Sequence, residues 1–360
     1  MSDYSRRDFG KLAAIGLPLM AQPKAWAGGP RPNAADETRA AGDAPPQFFP
    51  PRKAEAPVPA PAGGWKAHMG LELYTVRDLM AKDQEKTMAA VAAIGYKEVE
   101  PIDYGGLSPK QYRALLDRYG LVAPSTHAIT PPGPGLEKRL EGYQIIGHKY
   151  TWIFPTRPLP PGFHFPPPHP AHHGGHHAPR KPFHFPAATP ESTKRDAETY
   201  NRCGRIAKKF GIQILIHNHA IEFEYFPGTT RCPYDILLAE TDPELVVMQL
   251  DIGWSSVAGV GALDLFRAHP GRFVLWHVKD VMDLNYLFPQ PIMSEWQRMM
   301  ASGRKIVPVG QGDVSYHPIF EQWKAAGMLH FCVEQDNAAQ WGDSVAAART
   351  SYHALLELLT

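Results

Sequence analysis

A regular alternation of strand-like and helix-like segments fills the chain from residue 70 to residue 358. Eight short apolar runs are each followed by a stretch with helical spacing or helix-capping residues. Strands that alternate with helices through short connections form parallel sheets, and eight such units in about 290 residues match a (β/α)8 TIM barrel. The predicted strands cover residues 70–75, 96–101, 121–127, 150–154, 212–217, 245–251, 273–279 and 329–334.

A doubly wound open sheet is the alternative arrangement of alternating strands and helices. Its dinucleotide-binding form carries a G-x-G-x-x-G turn after the first strand. No such glycine pattern follows Thr75. The α/β barrel is therefore the predicted fold.

The first 65 residues precede this alternation and are of two kinds. Residues 5–11 (SRRDFGK) match the twin-arginine export pattern, and an apolar stretch leads to an A-x-A cleavage site ending at Ala27. Residues 28–65 are rich in Pro, Ala and Gly and are predicted to form an extended linker. The domain plan is a signal peptide over 1–27, the linker over 28–65 and the barrel over 66–360. We expect a periplasmic or secreted protein that uses the twin-arginine export machinery, with a retained amino-terminal anchor as the alternative.

Two segments interrupt the alternation. Residues 157–187, after the fourth strand, are dense in Pro and contain seven of the 17 histidines. Such Pro density excludes a regular helix, so an irregular insertion is predicted, which either recruits metal or is only a polar surface loop. Residues 281–309, after the seventh strand, are expected to form a lid or a contact within a homo-oligomer.

Charge and cysteine content argue against several classes of protein. The chain carries 37 basic and 36 acidic residues and shows no basic stripe, so nucleic acid is not an expected partner. Its three cysteines, Cys203, Cys232 and Cys332, show no C-x-x-C spacing. They indicate neither a disulfide framework nor a zinc knuckle.

Titratable side chains stand at almost every predicted strand end. In a parallel barrel the active site is built from the carboxyl ends of the strands, so we expect these side chains to meet. Carboxylates and imidazoles gathered in this way are ligands of divalent first-row metals. The residues concerned are Glu72, Tyr74, Glu98, Glu100, His127, His217, His219, Asp251, His277, Lys279, Glu334 and Asp336.

Four short motifs occur in a suggestive order along the second half of the chain. They are LDIGW at 250–254, WHVKD at 276–280, VGQGD at 309–313 and VEQD at 333–336. As a set they resemble the xylose isomerase-like TIM barrels, the sugar phosphate isomerase/epimerase superfamily. Residues 71–78 and 216–223 resemble the first and fifth strands of its twin-arginine-exported branch. The resemblance covers residues 69–359 apart from the two insertions, and none of its motifs names a substrate.

The resemblance implies a site for one divalent ion: manganese, cobalt, magnesium or zinc. Asp251, His277 and Glu334 would be three of its ligands. Many relatives end the fifth strand with a glutamate, whereas this chain has His-Asn-His at 217–219. Our assignment for the fourth ligand is His219, with His217 and Glu222 left open as alternatives.

Such a site suits proton abstraction next to a carbonyl, through an enediolate that a divalent ion stabilises. Glu334 is the expected catalytic carboxylate. Lys279 and His127 are candidates for the second proton-transfer group, although a salt bridge to a strand-end carboxylate would equally explain Lys279. Expected substrate contacts are Tyr74, Glu100, Trp254 and His217.

The predicted function is therefore a divalent-metal-dependent sugar isomerase or epimerase, with a small sugar or glycoside as its partner. One alternative on the same barrel is a lyase or hydrolase of 3-keto-glycosides. A second alternative, from a different class, is a sugar-binding protein without turnover.

Overall fold

The computed structural model describes residues 58–153, 188–284, 302–303 and 305–360. The predicted signal peptide, most of the predicted linker, the Pro/His-rich insertion and most of the second insertion lie outside the described residues. Within the described ranges, none of the helices is both long enough and apolar enough to cross a membrane.

Eight parallel strands form the main sheet, and two short strands form an antiparallel pair beside it. In chain order the strands are β1 (Met69–Glu72), β2 (Glu98–Glu100), β3 (Ser125–Thr130), β4 (Tyr150–Ile153), β5 (Gln213–His217), β6 (Val246–Asp251), β7 (Leu275–Val278), β8 (Asp280–Val281), β9 (Ile306–Val307) and β10 (His330–Val333). The order in the main sheet is β2-β1-β10-β7-β6-β5-β4-β3.

Backbone hydrogen bonds bring the two edge strands of this sheet together. The Val99 amide of β2 donates to the Val122 carbonyl just before β3 (2.9 Å), and the His127 amide of β3 donates to the Pro101 carbonyl (2.9 Å). The sheet is therefore a nearly closed barrel. The predicted (β/α)8 fold is confirmed.

Helices lie between the strands, and several begin at recognisable capping residues. Ser108 and Thr189 each accept a backbone N–H at a helix start, and a proline follows both. This combination favours a helix start because proline lacks the N–H that would otherwise stay unpaired there. The helices are α1 (Arg77–Met80), α2 (Gln84–Ile94), α3 (Pro109–Tyr119), α4 (Leu136–Ile146), α5 (Pro190–Ala207), α6 (Pro233–Glu240), α7 (Ile252–Val257), α8 (Ala262–Ala268), α9 (Tyr316–Glu321), α10 (Trp323–Ala326) and α11 (Ser344–Leu359).

Packed structure begins inside the stretch that was predicted as linker. The Trp65 indole donates to the Val58 carbonyl (3.0 Å), and its ring packs edge-on against Phe320 and Phe331. The Trp323 indole donates to the Pro59 carbonyl (3.0 Å). The segment from Val58 to Trp65 is thus packed against the barrel, with Val58 and Trp65 buried in its core.

Alternation along the strands divides the barrel interior into an apolar floor and a polar layer. Leu275 and Val247 belong to a small buried apolar cluster with Tyr150 and Leu215. Residues two positions further along a strand point to the same side, so His277 and Gln249 follow on the same face. Polar side chains therefore meet next to this floor, towards the carboxyl ends of the strands.

Candidate metal centre and active site

His277, on β7, lies at the centre of the polar layer and has carboxylates on both sides. Its Nδ1 is 2.7 Å from Glu334 Oε2, 3.3 Å from Glu72 Oε2 and 3.9 Å from Asp251 Oδ2. Its Nε2 is 2.5 Å from Glu100 Oε2. Burial disfavours the imidazolium, but Glu72, Glu334 and Glu100 outweigh it and raise the pKa of His277 to about 10.

Four side chains present ligand atoms that all lie within 4.8 Å of one another: His217, Asp251, His277 and Glu334. His217 Nδ1 is buried and has no hydrogen-bond partner. Burial also holds the pKa of His217 well below its usual value, so its ring is neutral and keeps a lone pair. Two imidazoles and two carboxylates are a donor set that fits a divalent first-row metal.

The charge balance of this layer also suits a cation. Glu72, Glu100, Asp251 and Glu334 are all buried within it. Burial raises the pKa of Asp251 to about 6 against the opposing effect of Lys279. Burial and the neighbouring Glu334 hold the pKa of Glu72 well above its usual value. It is therefore costly for Asp251 and Glu72 to be ionised at the same time. A bound divalent ion would stabilise their ionised forms.

Lys279 is fully buried beside these four side chains. Its Nζ lies 2.9 Å from Asp251 Oδ2, 3.0 Å from Glu334 Oε2 and 2.8 Å from Asp336 Oδ2, and 4.7 Å from the centre of the Trp254 ring. Burial opposes its charge, but the three carboxylates outweigh burial and hold the pKa of Lys279 well above its usual value. The geometry therefore presents the salt-bridge alternative for Lys279, with Asp251, Glu334 and Asp336 as its partners.

A second group of contacts lies on the Nε2 side of His277. The Gln249 amide donates to both oxygens of Glu100 (3.0 Å each), and its carbonyl oxygen is 2.5 Å from His127 Nε2. His127 Nδ1 is 3.0 Å from Glu72 Oε1. Burial acts against the charge of Glu100, yet His127 and His277 lower its pKa to about 2. Glu100 is fully buried, with its oxygens engaged by protein groups.

The fifth strand places its two histidines differently from each other. β5 ends at His217, and the chain then turns towards a 3-10 helix at Ile221–Phe223, so strand alternation no longer governs His219. Among the described residues His217 joins the ligand group and His219 does not. The His219 ring is 4.9 Å from that of His217 and 6.0 Å from that of Trp254, and burial lowers its pKa to about 4. The Glu222 carboxylate accepts the His219 backbone N–H (2.7 Å).

The other predicted residues lie around this centre or away from it. Tyr74 lies in a 3-10 turn (Leu73–Val76) after β1, with the Arg77 guanidinium 3.9 Å from its ring centre. Trp254 is buried in α7, with Lys279 against its ring. Glu98 begins β2 rather than ending it. It contacts His330 Nδ1 (2.9 Å), because His330 is likewise the first residue of its strand, β10.

Sequence reasoning missed three residues that organise the centre. Gln249 connects His127 to Glu100, as described above. The Asn218 amide donates to the Asp251 carbonyl (3.2 Å) and accepts the Asp251 N–H (3.0 Å), which ties the ends of β5 and β6 together. Asp280 accepts backbone N–H groups from Gly310, Gly312 and Val314 at 2.8–3.2 Å. Gln249 could have been found as an inward-facing polar residue two positions before Asp251.

Solved structures share the barrel architecture of this chain. A sugar phosphate isomerase/epimerase from Parabacteroides distasonis superposes with a TM-score of 0.59 at 18% identity, covering 83% of this chain and 98% of that one. The fold is that of the xylose isomerase-like TIM barrels. One such barrel protein from Mycobacterium smegmatis, in complex with magnesium, has a TM-score of 0.50 at 16% identity and covers 81% of this chain and 96% of that one.

Sequence comparison finds a more limited similarity. An inosose dehydratase from Lactiplantibacillus plantarum is 31% identical over 125 residues, which is 34% of this chain and 39% of that protein. The chain thus spans less than half the length of this curated relative. No family model matches the chain.

Proposed function

We propose that this protein is a divalent-metal-dependent enzyme that abstracts a proton next to a carbonyl group of a sugar, as a sugar isomerase or epimerase does. The observation that carries the proposal is the convergence of ligand atoms from His217, Asp251, His277 and Glu334 within 4.8 Å. The xylose isomerase-like fold and the similarity to a sugar phosphate isomerase/epimerase and to an inosose dehydratase support a sugar-modifying activity.

The chain's own residues would divide the work as follows. His217, Asp251, His277 and Glu334 would hold the ion, which supplies Lewis-acid stabilisation of negative charge on substrate oxygens. Glu334 is the proposed proton acceptor. Burial opposes ionisation of this group, but Lys279 and His277 hold its pKa well below the usual value, so it is a carboxylate at neutral pH.

Lys279 is better suited to hold charge than to move a proton. Its ammonium contacts three carboxylates, and its pKa is held well above the ordinary value. A group that stays charged at neutral pH cannot accept a proton there. We propose that Lys279 orients Asp251 and Glu334, and that His127 is the remaining candidate for the second proton-transfer group.

Elimination is the second candidate function. The step after proton abstraction can be return of the proton, which gives an isomer or epimer, or loss of the neighbouring substituent, which a lyase catalyses. The similarity to an inosose dehydratase favours the lyase. So does the family resemblance described above, in which many relatives end the fifth strand with a glutamate where this chain has histidines at 217 and 219. A 3-keto-glycoside is a substrate that would distinguish these outcomes.

Solvent exchange tests the shared step. Purified protein is loaded separately with Mn²⁺, Co²⁺, Mg²⁺ and Zn²⁺ and incubated in D₂O with a panel of unphosphorylated sugars and 3-keto-glycosides. We expect deuterium at the carbon next to the carbonyl, and release of the aglycone if elimination follows.

Two variants define the expected controls. Asp251→Ala should abolish exchange because it removes a ligand, whereas Asp117→Ala removes an exposed carboxylate that pairs with Arg113 and should leave exchange unchanged. Metal-loaded protein that binds sugars without any exchange would favour the sugar-binding alternative and refute the enzyme.

We also propose export by the twin-arginine route, on the basis of the pattern at residues 5–11. Replacement of Arg6 and Arg7 by lysine should retain the full-length precursor in the cytoplasm, as measured by cell fractionation. Periplasmic delivery of that variant at the wild-type level would contradict this proposal.

A further inference from the structure

Gln249 is a buried amide at a point where five side chains form one continuous chain of contacts. It lies on β6 two residues before Asp251 and is only 1% exposed. The chain of contacts runs from Glu72 through His127, Gln249 and Glu100 to His277. Gln249 is its one amide member, and no part of the proposed proton transfer uses it.

An amide gives this chain of contacts a direction, because its nitrogen only donates and its oxygen only accepts hydrogen bonds. The Gln249 nitrogen lies 3.0 Å from each Glu100 oxygen. The reversed orientation would place the amide oxygen against both carboxylate oxygens and is therefore disfavoured. With its oxygen towards His127, Gln249 requires His127 Nε2 to carry the hydrogen.

The same reasoning sets the hydrogen on His277. Glu100 is an acceptor for both contacts from Gln249, and its Oε2 lies 2.5 Å from His277 Nε2. Nε2 therefore donates to Glu100. That leaves Nδ1 on the side of Glu334 and Asp251; in the metal-free protein it donates to Glu334, and it would release this proton when a cation binds there.

We propose that Glu100 and Gln249 are positioning residues, which hold the His277 ring with its Nδ1 towards the cation site and its Nε2 protonated. This inference rests on the proposed metal centre. Glu100 acts directly on the imidazole, and Gln249 acts through Glu100 by donating to both of its oxygens. Neither residue is proposed to touch the substrate.

Metal affinity tests this arrangement without any assay of turnover. Loss of a group that orients a metal-binding histidine weakens metal affinity by about 10–100-fold. We therefore expect Gln249→Met and Glu100→Gln each to raise the Kd for Co²⁺ by about that factor, measured by competition with a chelator at fixed pH. Gln249→Met keeps the length of the side chain while it removes the hydrogen bonds to Glu100 and His127. Gln249→Asn, which keeps the amide on a shorter side chain, should also weaken Co²⁺ binding. It is the substitute variant if Gln249→Met does not fold.

A double variant separates positioning from a general structural effect. The double variant combines Gln249→Met with Glu100→Gln. If Gln249 acts through Glu100, the Kd of the double variant for Co²⁺ should be at most about threefold above the higher of the two single-variant Kd values, because the effects of residues in one network do not add. Met248→Leu is the matched control: it is the neighbouring buried residue on β6, points to the opposite face and should leave the Kd within about twofold of wild type.

The possible failures are distinguishable. The proposed metal centre fails if wild-type protein binds Co²⁺ no more tightly than Asp251→Ala does. The positioning role is overturned if wild-type protein binds Co²⁺ and Gln249→Met binds it equally tightly, or if the two single effects simply multiply in the double variant. A metal-loaded protein that exchanges no deuterium would refute the enzyme but leave the measured Kd values, and so this inference, intact.

Discussion

Replacement of Lys279 by methionine removes the ammonium from a site where it meets three carboxylates. Lys279 and Asp251 are fully buried, Glu334 is nearly so, and the three N–O distances are 2.8–3.0 Å. Removal of one partner from a buried ion pair lowers the free energy of unfolding by about 3–5 kcal/mol, because the remaining charge is left uncompensated. Asp336 is more exposed and can be solvated, so Asp251 and Glu334 account for most of the expected loss.

The loss of unfolding free energy in Lys279→Met should be smaller at low pH and smaller when metal is bound. The pKa of Asp251 is raised to about 6 in the folded protein, above an ordinary value of about 4. Lys279 lowers this pKa, so its removal raises it further; as the pH falls, the folded variant therefore protonates Asp251, and the uncompensated charge is reduced. A bound divalent ion would also replace the missing positive charge. We expect the full loss in metal-free protein at pH 7.5 and less than half of it at pH 5 or with saturating metal.

Urea unfolding of metal-free wild-type and Lys279→Met protein, followed by circular dichroism, measures this difference. Lys208→Met is the matched control, because Lys208 also pairs with a carboxylate, Glu244, at 2.9 Å but both side chains are mostly exposed. No measurable loss is expected for the control. If Lys279→Met were as stable as Lys208→Met at pH 7.5, the buried ion-pair cluster would not exist in solution.

Three further predictions concern the same region. His217→Ala should weaken Co²⁺ binding by at least tenfold and His219→Ala by much less, because only His217 joins the ligand group; equal effects in metal-binding titrations would contradict that geometry. His277 has a folded pKa of about 10 against an ordinary 6.5, so its contribution to the stability of the metal-free protein should be fully present below pH 6.5 and disappear as the pH rises to 10. Thermal unfolding across that range should show a smaller decline for His277→Gln than for wild type, and an unchanged decline would refute the assignment. Asp280→Ala should lower the free energy of unfolding by about 3 kcal/mol or more, since several backbone N–H groups lose their acceptor; a loss below about 1 kcal/mol in urea unfolding would show that the loop after β9 is held by other contacts.

The fold and the composition of the centre could be predicted from the sequence because both follow from local rules. Alternating strands and helices imply a parallel barrel, and a parallel barrel brings strand ends together wherever they occur in the chain. Asp251, His277 and Glu334 could therefore be grouped in advance although they lie far apart in sequence. Capping residues such as Ser108 and Thr189 likewise marked helix starts without any tertiary information.

Predictions that relied on a strand continuing past its end were less secure. The predicted first strand extends to residue 75 and so includes Tyr74, and strand alternation places His219 on the same face as His217, but β1 ends at Glu72 and β5 ends at His217. Beyond those points the backbone turns, and a period of two no longer tells which way a side chain faces. Glu98 shows the converse case, because it lies at the start of its strand rather than at the end.

The sequence by itself determined which strands form the barrel and which residue types stand at their carboxyl ends. Only the tertiary structure decided which side chains come together: His217 rather than His219 near Asp251, Lys279 among three carboxylates, and Gln249 between His127 and Glu100. The physical reason is that periodicity sets the face on which a side chain lies. Contacts at 2.5–3.0 Å depend on where strands end, on their register and on side-chain rotamers, which are set by packing across the whole barrel.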